Sequence, residues 1–461
     1  MNLKTTIIKS KIVTYLLSSI ALLSTSSGAF AQDQAQPKLT LTAKTQKPLI
    51  SATEKHAYVL LRLSSAKSAT PQAHKKLNLS LVIDRSGSMS GQKIIDARKS
   101  AIQMVKSMRD GDTVSVVSYS SDFTVNVEPT ILTEITRGKI EAIIHTISDG
   151  GGTNLSDGLI NGISCVSKNK EKAQVNRVLL ISDGNANKGI TEPAKLNKIA
   201  REALQNGIVI TTLGLGVDYN EDLMTGIADN GGGNYYFIEE SDKITETLNQ
   251  EISQMASTVG KDLQLKTTFP EGITLDKVYG WIAENNAQSV RVPLGEIFSG
   301  QTRAILCRVH LPKNLQSGQQ LTIPSFTLDY KHLAGDKEEP TTLKTEELTL
   351  TVSDDQQLIL GAQDMEVTAR IAEIELANRL ENAAKLVEQR KYDDAKKELQ
   401  SAVAAAKVSS GKIPEQWKKK LDEATKEAEK MAGDIDKAEK SAYERKKWSK
   451  GGKASKRKYS K

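Results

Sequence analysis

The stretch LSLVIDRSGSM constrains this chain more than any other, because a largely apolar, strand-like run ends in Asp84 and is followed at once by Arg85-Ser86-Gly87-Ser88. One tight loop beyond a buried strand then presents a carboxylate and two hydroxyls together. Hard oxygen donors of this kind suit a hard cation, and neutral hydroxyls leave that cation with most of its charge. A cation held this way attracts one more anion. Ser- and Gly-rich turns after strands also arise for purely conformational reasons, so the loop alone decides little.

Two later segments add weight. GGGTNL places Thr153 between a glycine turn and a new helical pattern, and VNRVLLISDG ends another apolar strand in Asp183. In open α/β folds ligands gather beyond the carboxyl ends of the strands, so all three segments are expected at one sheet edge. Asp84, Ser86, Ser88, Thr153 and Asp183 resemble, position for position, the metal-ion-dependent adhesion site of von Willebrand factor A domains, over roughly residues 77 to 256. The resemblance implies a six-coordinate Mg²⁺ (or Mn²⁺) with the two serines and the threonine as direct or near-direct ligands. It implies aspartates acting often through water, and a sixth position completed by a partner's Asp or Glu. The residues agree, since Mg²⁺ dehydrates reluctantly and is seldom caged wholly by protein.

The chain has 461 residues, 38% hydrophobic and 26% charged, which leaves room for about three domains. Lys4, Lys9 and Lys11 precede IVTYLLSSIALL, and Ala29-Phe30-Ala31 supplies small residues at a cleavage position, so residues 1–31 read as a secretory signal peptide. The mature chain is expected to be exported, periplasmic or secreted, without a transmembrane segment. Two cysteines, Cys165 and Cys307, are expected as buried thiols, and five scattered histidines give no zinc spacing. Of the net charge of +7, residues 445–461 carry nine basic and no acidic side chains. That segment is expected to be a disordered basic tail, with a polyanion or an anionic membrane surface as a possible partner and nucleic acid not the main one.

Alternation over residues 38–66, as in AYVLLRL, predicts strands, with a linker completing the segment 32–76. From Leu77 apolar strands alternate with helical patterns, the sign of βαβ units, so residues 77–257 are expected as a doubly wound, Rossmann-like domain with a parallel sheet. From about residue 258 to 356 the period returns to two, which predicts an antiparallel β-sandwich completed by the early strands. The α/β domain is thereby inserted into a β-domain. Residues 364–444 read as helical: a tetratricopeptide-like hairpin, with Arg390 and Lys391 at the turn where glycine is more usual, and a third helix after Pro414. This layout is similar to that of bacterial exported A-domain proteins and of inter-alpha-trypsin inhibitor heavy chains. Some relatives carry a calcium-activated chloride channel label, which no membrane helix here supports.

Three functions fit these residues unequally. A hydrolase needs a nucleophile with a base; Arg85-Ser86 puts serine where a phosphatase of the haloacid-dehalogenase type needs a second aspartate, and the elbow Gly-x-Ser-x-Gly is absent from the loop. An adaptor using the C-terminal helices and basic tail is the alternative. The expectation is a non-enzymatic, extracytoplasmic protein-binding module for adhesion or complex assembly, which takes a partner carboxylate on its cation.

Overall fold

The computed structural model describes residues 39–67, 75–171, 174–183, 185–286 and 288–460. The leader expected over residues 1–31 lies outside them. The described chain opens with β1 (Leu39–Thr45), β2 (Leu49–Ile50) and β3 (His56–Ser65). Ala57, Val59, Leu61 and Leu63 of β3 are buried together, as a period of two requires.

There follow β4 (Leu77–Asp84), α1 (Gln92–Ser107), β5 (Thr113–Tyr119), β6 (Phe123–Ile131), α2 (Glu134–His145), α3 (Leu155–Lys168) and β7 (Val175–Ser182). The segment closes with α4 (Pro193–Gln205), β8 (Val209–Leu215), α5 (Glu221–Asn230), β9 (Gly232–Ile238) and α6 (Ile244–Ala256). These strands form one sheet in the order β6-β5-β4-β7-β8-β9. Its pairings are parallel except for β6, which runs antiparallel to β5. This antiparallel edge departs from the expected parallel sheet because only residues 120–122 join the two strands, and a parallel neighbour needs a crossover of a dozen residues or more.

Helices cover both faces, so every residue of β4, β5, β7 and β8 is buried. Leu79, Leu81 and Ile83 share one core with Ile94 and Val105 of α1 and Leu248 of α6. Val82 points the other way, into a core with Leu159 of α3, Leu196 of α4 and Ile227 of α5. Two glycines let α3 lie this close: a Cβ on Gly158 would stand 2.4 Å from the Tyr119 ring, and one on Gly162 would stand 2.4 Å from Val82.

The chain continues through β10 (Thr258–Thr268), β11 (Thr274–Val278), β12 (Glu284–Asn286), β13 (Ser289–Phe298), β14 (Thr302–His310), β15 (Gln320–Ile323), β16 (Thr327–Ala334), β17 (Lys337–Lys344) and β18 (Leu348–Val352). Two antiparallel sheets, β1-β3-β14-β11 and β12-β13-β10-β16-β17, close on a core that includes Leu61, Leu265, Val292, Ile305 and Leu328. A small third sheet, β15-β18-β2, borders it. Strands from before and after the α/β segment therefore share one sheet. Arg177 of β7, itself buried, donates to Glu251 of α6 at 2.6 Å and pairs with Glu296 of β13, tying the two folds by a buried ionic link. Cys165 and Cys307 are buried free thiols in separate cores.

The last elements are α7 (Gln356–Gly361), α8 (Met365–Glu388), α9 (Tyr392–Ser410), α10 (Glu415–Lys440) and α11 (Ala442–Ser460). Val367, Ile371 and Ile374 set α8 on Leu60 and Leu306 of the sandwich. In the turn between α8 and α9, Arg390 takes a left-handed φ of 60°. Helix α11 corrects the expectation of a disordered basic tail. Its charges are compensated by carboxylates distant in sequence: Lys446 meets Asp218 at 2.8 Å, Lys447 meets Glu239 at 2.6 Å, and Lys453 meets Glu388 at 2.9 Å and Asp222 at 3.2 Å. Arg457 pairs with Asp229, and Lys450 stands 3.5 Å from the Tyr219 ring centroid. Trp448 and Tyr459 add apolar burial against α8 and α10. A free, solvated tail, the premise of the polyanion expectation, is thus not what these residues form.

Candidate functional site

β4 lies between β5 and β7 in the sheet, so the loops leaving their carboxyl ends meet at one edge. Asp84 ends β4 and is wholly buried. Its Oδ1 accepts the Ser86 N–H at 2.8 Å, and its Oδ2 accepts the hydroxyls of Ser182 at 2.7 Å and Tyr119 at 3.3 Å. The carboxylate is held from three sides and has no freedom to turn.

The Ser86 and Ser88 hydroxyls stand 3.1 Å apart, and Ser88 donates to Asp183 Oδ1 at 2.8 Å. Asp84, Ser86, Ser88 and Asp183 thus form one connected group of oxygens drawn from two loops. Ser86 and Asp183 are buried while Ser88 is exposed, so the group opens to solvent on one side. Thr153 arrives on a third loop, residues 146–154, which joins α2 to α3 and does not leave a strand of the sheet. Gly87 N–H donates to the Gly151 carbonyl at 3.1 Å and Gly150 N–H to the Arg85 carbonyl at 2.8 Å, which fastens that loop to the serine loop. Gly151 has φ +83°, and a Cβ there would stand 3.0 Å from the Ser121 hydroxyl, so the turn needs glycine. The Thr153 N–H donates to Asn187 Oδ1 at 2.9 Å. The hydrogen bonds described for Thr153 run through its backbone, whereas Ser86, Ser88 and Asp183 are linked through side chains and the Asp84 carboxylate accepts the Ser86 backbone N–H.

Four supporting residues escaped sequence reasoning. Ser182 and Tyr119 position Asp84 from the neighbouring strands, Asn187 positions Thr153, and the Lys93 ammonium pairs with Asp183 while standing 3.3 Å from the Ser88 carbonyl. Ser182 adjoins Asp183 in sequence and is the only one of the four with a local signal.

Burial raises the Asp84 carboxyl above its ordinary range, the nearby Asp183 charge adds to this, and hydrogen bonds from Ser182 and Ser86 oppose it. Two carboxylates gathered where one resists ionisation are relieved by a cation between them. Hydroxyl and carboxylate oxygens suit Mg²⁺ or Mn²⁺ and not a soft metal. Among the described residues no cluster of three or more His, Cys, Asp or Glu is gathered as for a metal. A cation here would therefore depend on the hydroxyls, and the donor set fits that requirement.

Residues 78–251 match the sequence model of the von Willebrand factor type A domain. This segment is a von Willebrand factor type A domain. Domains of this type generally mediate metal-dependent protein–protein interactions and commonly bind a divalent cation. The chain is 30% identical to YfbK, an uncharacterized protein of Escherichia coli (strain K12), over 56% of this chain and 46% of that one. It is 28% identical to inter-alpha-trypsin inhibitor heavy chain H3 of Rattus norvegicus, over 43% of this chain and 23% of that one. The chain thus matches less than half the length of either relative. Among solved structures, a von Willebrand factor type A protein from Catenulispora acidiphila superposes with a TM-score of 0.68 over 82% of this chain and 89% of that one, at 16% identity. That likeness extends beyond the A domain and concerns fold alone. No helix of the described residues is long and apolar enough to cross a membrane.

Proposed function

We propose that this chain is an extracytoplasmic protein-binding module whose A domain holds Mg²⁺ or Mn²⁺ at Asp84, Ser86, Ser88, Thr153 and Asp183 and takes an Asp or Glu carboxylate from a partner protein. The observation that carries this reading is the connected group Asp84–Ser86–Ser88–Asp183, assembled at one sheet edge and open on the Ser88 side. Three of the five candidate ligands, Ser86, Ser88 and Thr153, offer neutral hydroxyls, which leave a divalent cation only partly neutralised. Hydroxyl ligands and water then leave an exchangeable corner for an anion. The export reading rests on Lys4, Lys9, Lys11 and the apolar run after them.

The alternative, an adaptor working through its C-terminal helices and basic segment, is less well supported. Lys446, Lys447, Lys453 and Arg457 are paired within the chain. A hydrolase fares worse, because the Ser86 and Ser88 hydroxyls bond to each other and to a carboxylate, with no histidine in that group.

The test is capture of partners by the mature chain in Mg²⁺ and in EDTA, with Ser86→Ala and a chain lacking residues 442–461 alongside. Partner binding is expected to be lost in EDTA and with Ser86→Ala, and to survive the deletion. A partner retained in EDTA but lost on the deletion would favour the adaptor.

A further inference from the structure

We propose that Lys93 sets how tightly the site takes a divalent cation, acting as an internal cation that competes for the Asp183 carboxylate. The inference rests on the metal-site reading above. Lys93 is the second residue of α1, which starts just after Gly91 (φ 77°) turns the chain beyond the serine loop. Its ammonium meets Asp183 Oδ2 and lies 3.3 Å from the Ser88 carbonyl. The other oxygen of the same carboxylate, Oδ1, accepts the Ser88 hydroxyl. Both oxygens of Asp183 are thus engaged, one by a candidate ligand and one by a positive charge.

An ammonium and a divalent cation on one carboxylate repel each other, and the repulsion is strong because Asp183 is buried away from solvent screening. A divalent cation must therefore displace Lys93 or share Asp183 with it. Displacement is sterically open. The Lys93 side chain is 35% exposed, so its ammonium can swing into solvent, whereas the Asp183 side chain is 0% exposed. An acceptor for the displaced group is at hand: Asp218 is held below the ordinary carboxylate range, first by its hydrogen bond from Lys446 and further by the charge of Lys93. Lys93 also borders the strand exit before Asp218, its Cε standing 3.9 Å from where a Gly216 Cβ would lie. The lysine therefore stands between two carboxylates, only one of which belongs to the metal site.

Calorimetric titration of the full mature chain with Mg²⁺ and with Mn²⁺ tests this, using Lys93→Gln, Lys93→Arg, Asp84→Ala and Ser86→Ala. Circular dichroism confirms that each variant is folded. Lys93→Gln is expected to bind about fivefold tighter than the wild type, the order expected for losing one partly exposed charge contact. Lys93→Arg, which keeps the charge, is expected to stay within about twofold of the wild type. Unchanged or weaker binding by Lys93→Gln, with binding lost in Asp84→Ala and Ser86→Ala, would overturn the role of Lys93 and leave the site reading intact. Wild-type affinity in both Asp84→Ala and Ser86→Ala would instead overturn the site reading itself, and the lysine inference with it.

Discussion

Ser88, on the loop after β4, donates its hydroxyl to Asp183 beyond β7, 2.8 Å away and 95 residues further along the chain. This bond fastens two of the three loops at the sheet edge, and it joins an exposed residue to a buried one. Removing the donor leaves a buried, charged acceptor short of a partner. In the absence of divalent cation, Ser88→Ala is expected to lower stability by about 1–3 kcal/mol, read from urea midpoints. An unchanged midpoint would mean that the bond is not part of the folded ground state.

Gly158 and Gly162 both lie on the buried face of α3, yet substitutions there should differ in consequence. A Cβ on either would stand 2.4 Å from a buried side chain, Tyr119 in one case and Val82 in the other. Each alanine variant is expected to lose about 1–3 kcal/mol, overpacking outweighing the gain in helix propensity. Tyr119 donates to Asp84, so Gly158→Ala is expected also to weaken Mg²⁺ binding, while Gly162→Ala leaves it near wild type. Denaturation and calorimetry on the same two variants check both halves.

Helix α11 is held to the A domain by partly exposed ion pairs, with Lys446 on Asp218 and Lys447 on Glu239. Such pairs are individually weak and are screened in 1 M salt, where the Debye length falls to about 3 Å. Amide hydrogen exchange over residues 445–458 is expected to quicken about threefold or more between 0.15 and 1 M NaCl, with α8 unaffected. Equal rates would mean that α11 is held by its packing on α8 and α10 through Trp448 and Tyr459 and not by these ion pairs.

Arg390 takes a left-handed φ of 60° in an exposed turn. Glycine adopts that conformation without strain from a Cβ. Arg390→Gly is expected to raise stability by roughly 0.5–1 kcal/mol, and a thermal melt that falls would contradict it.

The strand ends that carry Asp84 and Asp183 were legible because an apolar run stopped by a polar loop is a local pattern. So were the buried face of β3 and the departure from glycine at Arg390. Tyr119 was not legible as a partner of Asp84, since the contact comes from register between neighbouring strands and the residue reads as ordinary core. Lys93 carried no signal in the sequence, because its acceptor lies 90 positions away. The tail was misread for a related reason. Lys446, Lys450, Lys453 and Arg457 recur at helical spacing, but a block of like charge folds only against carboxylates, and Asp218, Asp222 and Asp229 lie more than 200 residues earlier. The edge strand β6 was not singled out from the sequence, and a strand pattern would not have given its direction.

A divalent cation seated on the hydroxyls of the serine loop can be seen directly when it is Mn²⁺. Crystals of the mature chain soaked in Mn²⁺, measured for anomalous scattering, locate that ion directly. One strong peak is expected, bounded by Ser86 and Ser88 with their hydroxyl oxygens near the Mg²⁺–oxygen distance of about 2.1 Å, and it is expected to vanish in Asp84→Ala. A peak elsewhere, or an ordered serine loop with no peak at saturating Mn²⁺, would contradict a cation site on these hydroxyls.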